Sequence, residues 1–162
     1  MSSIRLFSTG GTIAKRYDEL SGELVFDGKH IQKMLTQGRC TLDVKITPLM
    51  LKDSLDMSEV DRDTILNACI DNLDSTILIT HGTDTMVESA KKLSAIKDKT
   101  IVLTGAMIPY AFKNSDALFN LAFALSAVQT LPYGIYISIN GKIFAWDNVQ
   151  KNKKEGIFEK LI

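Results

Sequence analysis

Two short stretches carry residue types that could do chemistry. The first is Thr9-Gly10-Gly11-Thr12-Ile13-Ala14, and the second is Thr80-His81-Gly82-Thr83-Asp84-Thr85-Met86. Each sets threonine hydroxyls beside glycine, and the second adds a carboxylate, Asp84. Glycine lets a backbone turn sharply and approach a neighbour closely. A threonine hydroxyl is a poor nucleophile until a neighbour takes its proton. Together these types mark the place where the function is expected to lie: two hydroxyl-rich turns, one with an adjacent carboxylate. Plainer readings exist for each residue alone. Threonines near helix starts commonly act as caps, and a carboxylate there suits the helix dipole. The pairing of two such stretches is what favours chemistry.

The elements around them say how they meet. Both stretches follow apolar runs that read as strands, Ile4-Arg5-Leu6-Phe7-Ser8 and Thr76-Ile77-Leu78-Ile79. Ligands of open α/β sheets sit beyond the carboxyl ends of the strands, so both turns are expected to face one crevice. Lys15 to Phe26 reads as a lid-like hairpin with its tip at Ser21-Gly22. Ile31, Met34 and Leu35 have helical spacing, ending near Gly38. Leu42, Val44 and Ile46 read as a half-exposed strand followed by Pro48, and 51–57 as a loop. Ser58 and Asp61 form a capping-box pattern ahead of a helix face with Ile65, Leu66, Cys69, Ile70 and Leu73. A further helix turns Met86, Val87, Ala90 and Leu93 inward. Ile101 to Leu103 is a buried strand, followed by the loop Gly105 to Pro109. Ser115 caps a helix burying Leu118, Leu121, Ala122, Leu125 and Val128. Asn140-Gly141 is a strong hairpin signal. The tail, 151–162, is basic and then weakly apolar. The alternation predicts a three-layer αβα domain over 1–162 with a mainly parallel sheet, flavodoxin- or Rossmann-like, and an N-terminal hairpin loop.

Composition narrows the function. The 162 residues carry 19 basic and 19 acidic side chains, a net charge of zero. A nucleic-acid partner normally leaves a basic excess, so none is expected. No apolar run is long enough to span a membrane. Met1-Ser2-Ser3-Ile4-Arg5 shows no secretory signal, so a cytoplasmic protein is expected. Cys40 and Cys69 lack metal-ligand spacing and read as free thiols in or near the core. The glycines do not follow G-x-G-x-x-G, and no lysine follows Gly82-Thr83 as a phosphate loop requires. A nucleotide- or phosphate-binding domain is thereby disfavoured.

The two stretches, in this order and at this separation, resemble the signature segments of the bacterial-type L-asparaginases. Other pieces are similar to that family too. They are Asp53-Ser54-Leu55-Asp56-Met57, Gly105-Ala106-Met107 with Pro109, Asn114-Ser115-Asp116 with Phe119-Asn120-Leu121, and Asn148-Val149-Gln150-Lys151. The resemblance implies a hydrolase that turns L-asparagine into L-aspartate and ammonia through an acyl-enzyme, with some action on L-glutamine. It implies Thr12 as nucleophile and Thr83 as a second catalytic threonine, with Lys151 and Asp84 around it. Tyr17 is implied as a partner of Thr12. Ser54 and Asp84 would hold the α-carboxylate and α-ammonium of the substrate, with Gly11 and Gly82 letting the backbone approach it. No metal and no organic cofactor is implied.

The family pattern also includes a C-terminal domain with no counterpart in 1–162. The sequence is expected to be a short single-domain member or a fragment with an incomplete site. In either case a homodimer or higher homo-oligomer is expected to wall the crevice. The contrasting reading is a non-catalytic module that binds a small amino acid.

Overall fold

The computed structural model describes residues 3–162. Among the described residues, ten strands and four α-helices follow one another. Five parallel strands form the body of the sheet. They are β1 (Ile4–Gly10), β4 (Val44–Lys52), β5 (Thr76–Thr80), β6 (Thr100–Thr104) and β7 (Gly134–Ile139). The antiparallel β8 (Lys142–Ala145) completes the order β4-β1-β5-β6-β7-β8. This is the expected mainly parallel α/β sheet with the doubly wound, flavodoxin-like strand order. The centre strands β5 and β6 are buried on both faces, which is why they read as unbroken apolar runs.

Side-chain alternation sends each strand's residues to two separate cores. Phe7, Ile77, Ile79, Ile101, Leu103 and Ile137 pack with α2 (Glu59–Asp71) and α3 (Met86–Leu93). Leu6, Leu78 and Val102 pack with α1 (His30–Gln37) and α4 (Ala117–Thr130) on the opposite face. Strand order reverses between β1 and β5, because β1 leads to β4 on one side and the chain then crosses to β5 on the other. Such a reversal opens a crevice at the carboxyl ends of the strands. The Thr9–Ala14 and Thr80–Met86 stretches leave β1 and β5 at that point.

Several expectations are met in detail. The Ser58–Asp61 capping box is formed in both directions. Asn140 and Gly141 both have positive φ, 55° and 70°, as a two-residue hairpin of this twist requires. β2 (Lys15–Asp18) and β3 (Glu23–Phe26) form the N-terminal hairpin, and its tip residue Leu20 is exposed. Cys40 and Cys69 are free thiols, and burial pushes the Cys69 thiol up to about 12.

Others are corrected. Pro48 does not end its strand: β4 runs on to Lys52, with Pro48 opposite Ser8. An edge strand tolerates proline because one of its sides needs no hydrogen-bond partner. Ile70 and Leu73 are exposed, α2 stops at Asp71, and Arg62 occupies the buried face instead. Arg62 can be buried because its guanidinium donates to Met57 O and pairs with Glu59 and Glu88. On α4, Ala122 is exposed and Leu118 half-buried, because the inward stripe follows Ala117, Leu121, Ala124 and Val128. The tail is structured. β9 (Gln150–Asn152) and β10 (Ile157–Glu159) pair as a small hairpin, pinned by the buried Phe158.

Candidate active site

The two glycine turns touch backbone to backbone. A Cβ on Gly11 would lie 2.5 Å from Gly82 N, so no side chain fits there. Gly11 has φ +75° and ψ 179°, a backbone conformation that essentially only glycine adopts. The Thr9 hydroxyl adds a cross-link, donating to Thr80 O at 2.8 Å. Thr12 and Thr83, each one residue beyond its glycine, are thereby set on adjoining turns. Thr12 opens a short 3-10 turn, Thr12–Ala14, and is half-buried.

Lys151 arrives from β9. Its Nζ donates to Thr83 Oγ1 at 2.8 Å and to Asp84 Oδ1 at 2.8 Å. Its side chain is only 10% exposed, so the ion pair with Asp84 sits in a partly desolvated place where charge interactions are strengthened. The Thr83 hydroxyl in turn donates to Met107 Sδ at 3.6 Å.

Ser54 closes the other side. A Cβ on Gly82 would meet Ser54 Oγ at 2.8 Å, so the serine packs directly on the second turn. Ser54 Oγ accepts from Thr85 N–H at 3.1 Å, and Thr85 Oγ1 donates to Ser54 O at 2.8 Å. With its oxygen so engaged, the Ser54 hydroxyl retains a proton to donate. Lys15 pairs with Asp53 at 2.8 Å and so ties the base of the N-terminal hairpin to the Ser54 loop.

His81 shapes the second turn from within. Its ring is buried between Gly82 O and Ser89 Oγ, each 2.7 Å away. A carbonyl only accepts, so Nδ1 carries the proton and Nε2 accepts from Ser89. Burial lowers its pKa to about 4, which keeps the ring neutral at ordinary pH.

Thr83, Asp84, Lys151, Ser54, Gly11 and Gly82 thus converge, with Thr12 beside them. Tyr17 does not join them. It lies on β2 opposite Leu24, is 56% exposed, and makes no hydrogen bond to Thr12 among the described residues. Met107 was not among the expected site residues, and the proline-containing loop after β6 was its sole signal. Among the described residues, no cluster of acidic, histidine or cysteine side chains could hold a metal ion, and no helix is long and apolar enough to cross a membrane.

A doubly wound domain with a threonine–lysine–carboxylate cluster at its switch point is the class these features define. The chain belongs to the asparaginase family, whose N-terminal domain model matches residues 3–158. It is 32% identical to an L-asparaginase of Thermococcus kodakarensis, covering 94% of this chain and 48% of that protein. L-asparaginase 1 of Escherichia coli is 31% identical, over 95% of this chain and 48% of that protein. A component of the glutamyl-tRNA(Gln) amidotransferase of Methanococcus vannielii is 28% identical, over 97% of this chain and 38% of that protein. The thermostable L-asparaginase structure from T. kodakarensis superposes with a TM-score of 0.86 at 29% identity, covering 98% of this chain and 51% of that one. The chain therefore spans about half the length, or less, of the curated relatives it matches.

Proposed function

We propose that this chain is an amidohydrolase that converts L-asparagine to L-aspartate and ammonia, with L-glutamine as a weaker substrate. The observation that carries the proposal is Lys151, placed 2.8 Å from both Thr83 Oγ1 and Asp84 Oδ1 at the sheet's switch point. The substrate's α-carboxylate accepts from the Ser54 hydroxyl. Its α-ammonium pairs with Asp84, which has one oxygen engaged by Lys151 and a second to offer. The side-chain amide then lies between the two threonines.

In the first half-reaction Thr12 Oγ bonds to the amide carbon, the C–N bond breaks, and ammonia leaves with the proton from Thr12. Tyr17 relays that proton once the β2–β3 hairpin closes over the substrate. In the second half-reaction a water attacks the threonyl ester. Its proton is drawn toward the Thr83–Lys151 pair, and Thr12 recovers its hydroxyl as aspartate is released. Exclusion of bulk water by the closed hairpin strengthens each of these electrostatic contacts. No metal or organic cofactor enters this scheme. The protein acts in the cytoplasm and as a homodimer in this reading. A Campylobacter jejuni structure that is 31% identical is described as a probable cytoplasmic L-asparaginase.

A second reading comes from the amidotransferase relative, whose similarity covers nearly the whole chain. It makes glutamine, or an amide carried by a larger substrate, the preferred group. Ammonia release from L-asparagine, L-glutamine and D-asparagine, with Thr12→Ala alongside, separates the readings. Faster release from L-asparagine, lost in Thr12→Ala, supports the first. A preference for L-glutamine supports the second. Binding of amino acid without any ammonia would replace both with a non-catalytic module.

A further inference from the structure

Met107 stands apart from the other methionines of the described residues. Met34, Met57 and Met86 are buried and Met50 is half-buried, whereas Met107 keeps 37% of its surface exposed. Its sulfur also meets the site, taking the Thr83 hydroxyl at 3.6 Å while Lys151 holds the oxygen of that hydroxyl from another side. A thioether is a weak acceptor. The Thr83 proton is therefore held loosely and can turn away to a stronger partner.

The backbone of Met107 has little freedom. Asp116 accepts from Met107 N–H and from Ile108 N–H, each at 2.9 Å. Asn120 Nδ2 donates to Asp116 at 3.0 Å and to Gly105 O at 2.9 Å. The Ser115 hydroxyl donates to Ile108 O at 2.7 Å. The Met107 methyl carbon lies 3.6 Å from where a Cβ on Gly156 would stand, beneath the β9–β10 turn. The thioether is thus pinned between the Thr83 turn and the segment that delivers Lys151, in a residue that keeps 37% of its surface exposed to small solutes.

We propose that Met107 is a redox modification site controlling the Thr83 hydroxyl, with hydrogen peroxide or an alkyl hydroperoxide as oxidant. This rests on the amidohydrolase reading for its effect on turnover. In the reaction Sδ attacks the terminal peroxide oxygen, the O–O bond breaks and an S=O bond forms. The sulfur loses two electrons, and the peroxide is reduced to water or an alcohol. A gap of 3.6 Å cannot take an added oxygen in line, so Thr83 and the sulfoxide must rearrange. The sulfoxide oxygen is a far stronger acceptor than the thioether. It captures the Thr83 proton and takes the hydroxyl out of exchange with Lys151 and water. Methionine sulfoxide reductase, drawing electrons from a thiol, reverses the change.

The test is graded hydrogen peroxide on the intact chain, followed by peptide mapping and ammonia release. Met107 should gain one oxygen ahead of Met50. Ammonia release should fall in step with that gain, at least tenfold at full occupancy and mainly in kcat, and the reductase should restore it. Met107→Leu should run several-fold slower than wild type, with its remaining activity insensitive to peroxide. Carbon-13 methyl spectra of methionine-labelled protein read the contact without turnover: the Met107 signal should move in Thr83→Val. Oxidation of Met50 first, full Met107 oxidation with turnover intact, inactivation of Met107→Leu at the wild-type rate, or a methyl signal that ignores Thr83→Val would each overturn the proposal. If untreated protein releases no ammonia from any amide, only the amidohydrolase reading falls. The mapping and the methyl spectra still decide the modification site.

Discussion

Gly11→Ala tests whether backbone contact between the two turns is what assembles the site. Gly22→Ala is the matched control. Both glycines have left-handed φ, +75° and +73°, but a Cβ on Gly22 meets nothing within 4 Å. Backbone strain costs Gly22→Ala about 1–2 kcal/mol, and Gly11→Ala, whose ψ of 179° lies where essentially only glycine goes, about 1–3 kcal/mol. Only Gly11→Ala adds a collision, with Gly82 N at 2.5 Å and Gly82 Cα at 2.6 Å. Backbone atoms cannot swing aside as a side-chain tip can, so the turns must part by roughly 1 Å to reach ordinary contact. Overpacking of that kind costs about 1–3 kcal/mol more. For a domain of this size each kcal/mol lowers Tm by about 2–4 °C. Gly11→Ala should therefore melt about 4–24 °C below wild type, and Gly22→Ala about 2–8 °C below. Misplacement of reacting groups by ~1 Å costs about 10²-fold in rate, so ammonia release in Gly11→Ala should fall by that factor while Gly22→Ala stays near wild type. Calorimetry and an ammonia assay on the three proteins suffice. Equal melting of the two variants, or wild-type turnover in Gly11→Ala, would refute the role given to this contact.

Lys151→Met should reduce turnover by at least about 10³-fold through loss of the ammonium between Thr83 and Asp84, with the fold intact by circular dichroism; activity within tenfold of wild type would remove Lys151 from the chemistry. His81 is neutral and buried, with its pKa lowered from 6.5 to about 4, so its contribution is full above pH 6.5 and is lost as pH falls toward 4. Urea midpoints should therefore show stability dropping by about 2–3 kcal/mol between pH 7 and pH 4.5, and His81→Gln should flatten that slope. The exposed tip of the β2–β3 hairpin should be cut by a protease in the free protein and protected by aspartate; equal cleavage with and without aspartate would argue against closure. Light scattering on a dilute sample should give a homodimer, and a monomer that hydrolyses asparagine with micromolar KM would defeat the idea that a neighbour walls the crevice.

Much of this architecture could be read from sequence because the signals were redundant. Ile77 to Ile79 and Ile101 to Leu103 are continuous β-branched and leucine runs between turn residues, a pattern with few alternatives. Asn140-Gly141 and Ser58–Asp61 mark a hairpin and a helix start by local chemistry alone, and both are formed. The errors came where tertiary contacts overrode the local pattern. Ile70 and Leu73 continue an apolar period that α2 does not bury, because Arg62 takes the inner position with its own partners. The tail was unreadable because β9 and β10 are three residues each, too short for any period, and a single aromatic, Phe158, anchors them. The residue types at Thr83 and Asp84 suggest a site; Lys151 enters only through the resemblance, which also supplies the roles. The contact of Thr83 with Met107 has no signal beyond the loop Gly105 to Pro109, because it depends on one side-chain conformation, and Asp116 at the start of α4 fixes only the Met107 backbone by accepting from its N–H.

The route by which Lys151 reaches the crevice has a physical consequence for the site as a whole. Thr12, Thr83 and Ser54 are carried by segments at the ends of β1, β5 and β4, within or beside the central sheet. Lys151 is carried by a separate two-stranded hairpin that follows the antiparallel edge strand. That hairpin is secured by Phe158 in the α2–α3 core, by Phe158 N–H donating to Asn140 Oδ1 at 2.9 Å, and by Leu161 N–H donating to Asn148 Oδ1 at 3.0 Å. A short hairpin with few anchors opens locally at lower free energy than the central strands do. The threonines can thus be in place while the lysine is not. The ion pair with Asp84 and the hydrogen bond to Thr83 then act in both directions: they prepare the hydroxyl, and they hold the tail hairpin against the sheet. A substrate ammonium drawn to Asp84 must share that carboxylate with Lys151 without displacing it, which requires the two Asp84 oxygens to be divided between them. The 2.8 Å contact of Lys151 with Oδ1 alone is the arrangement that permits this division.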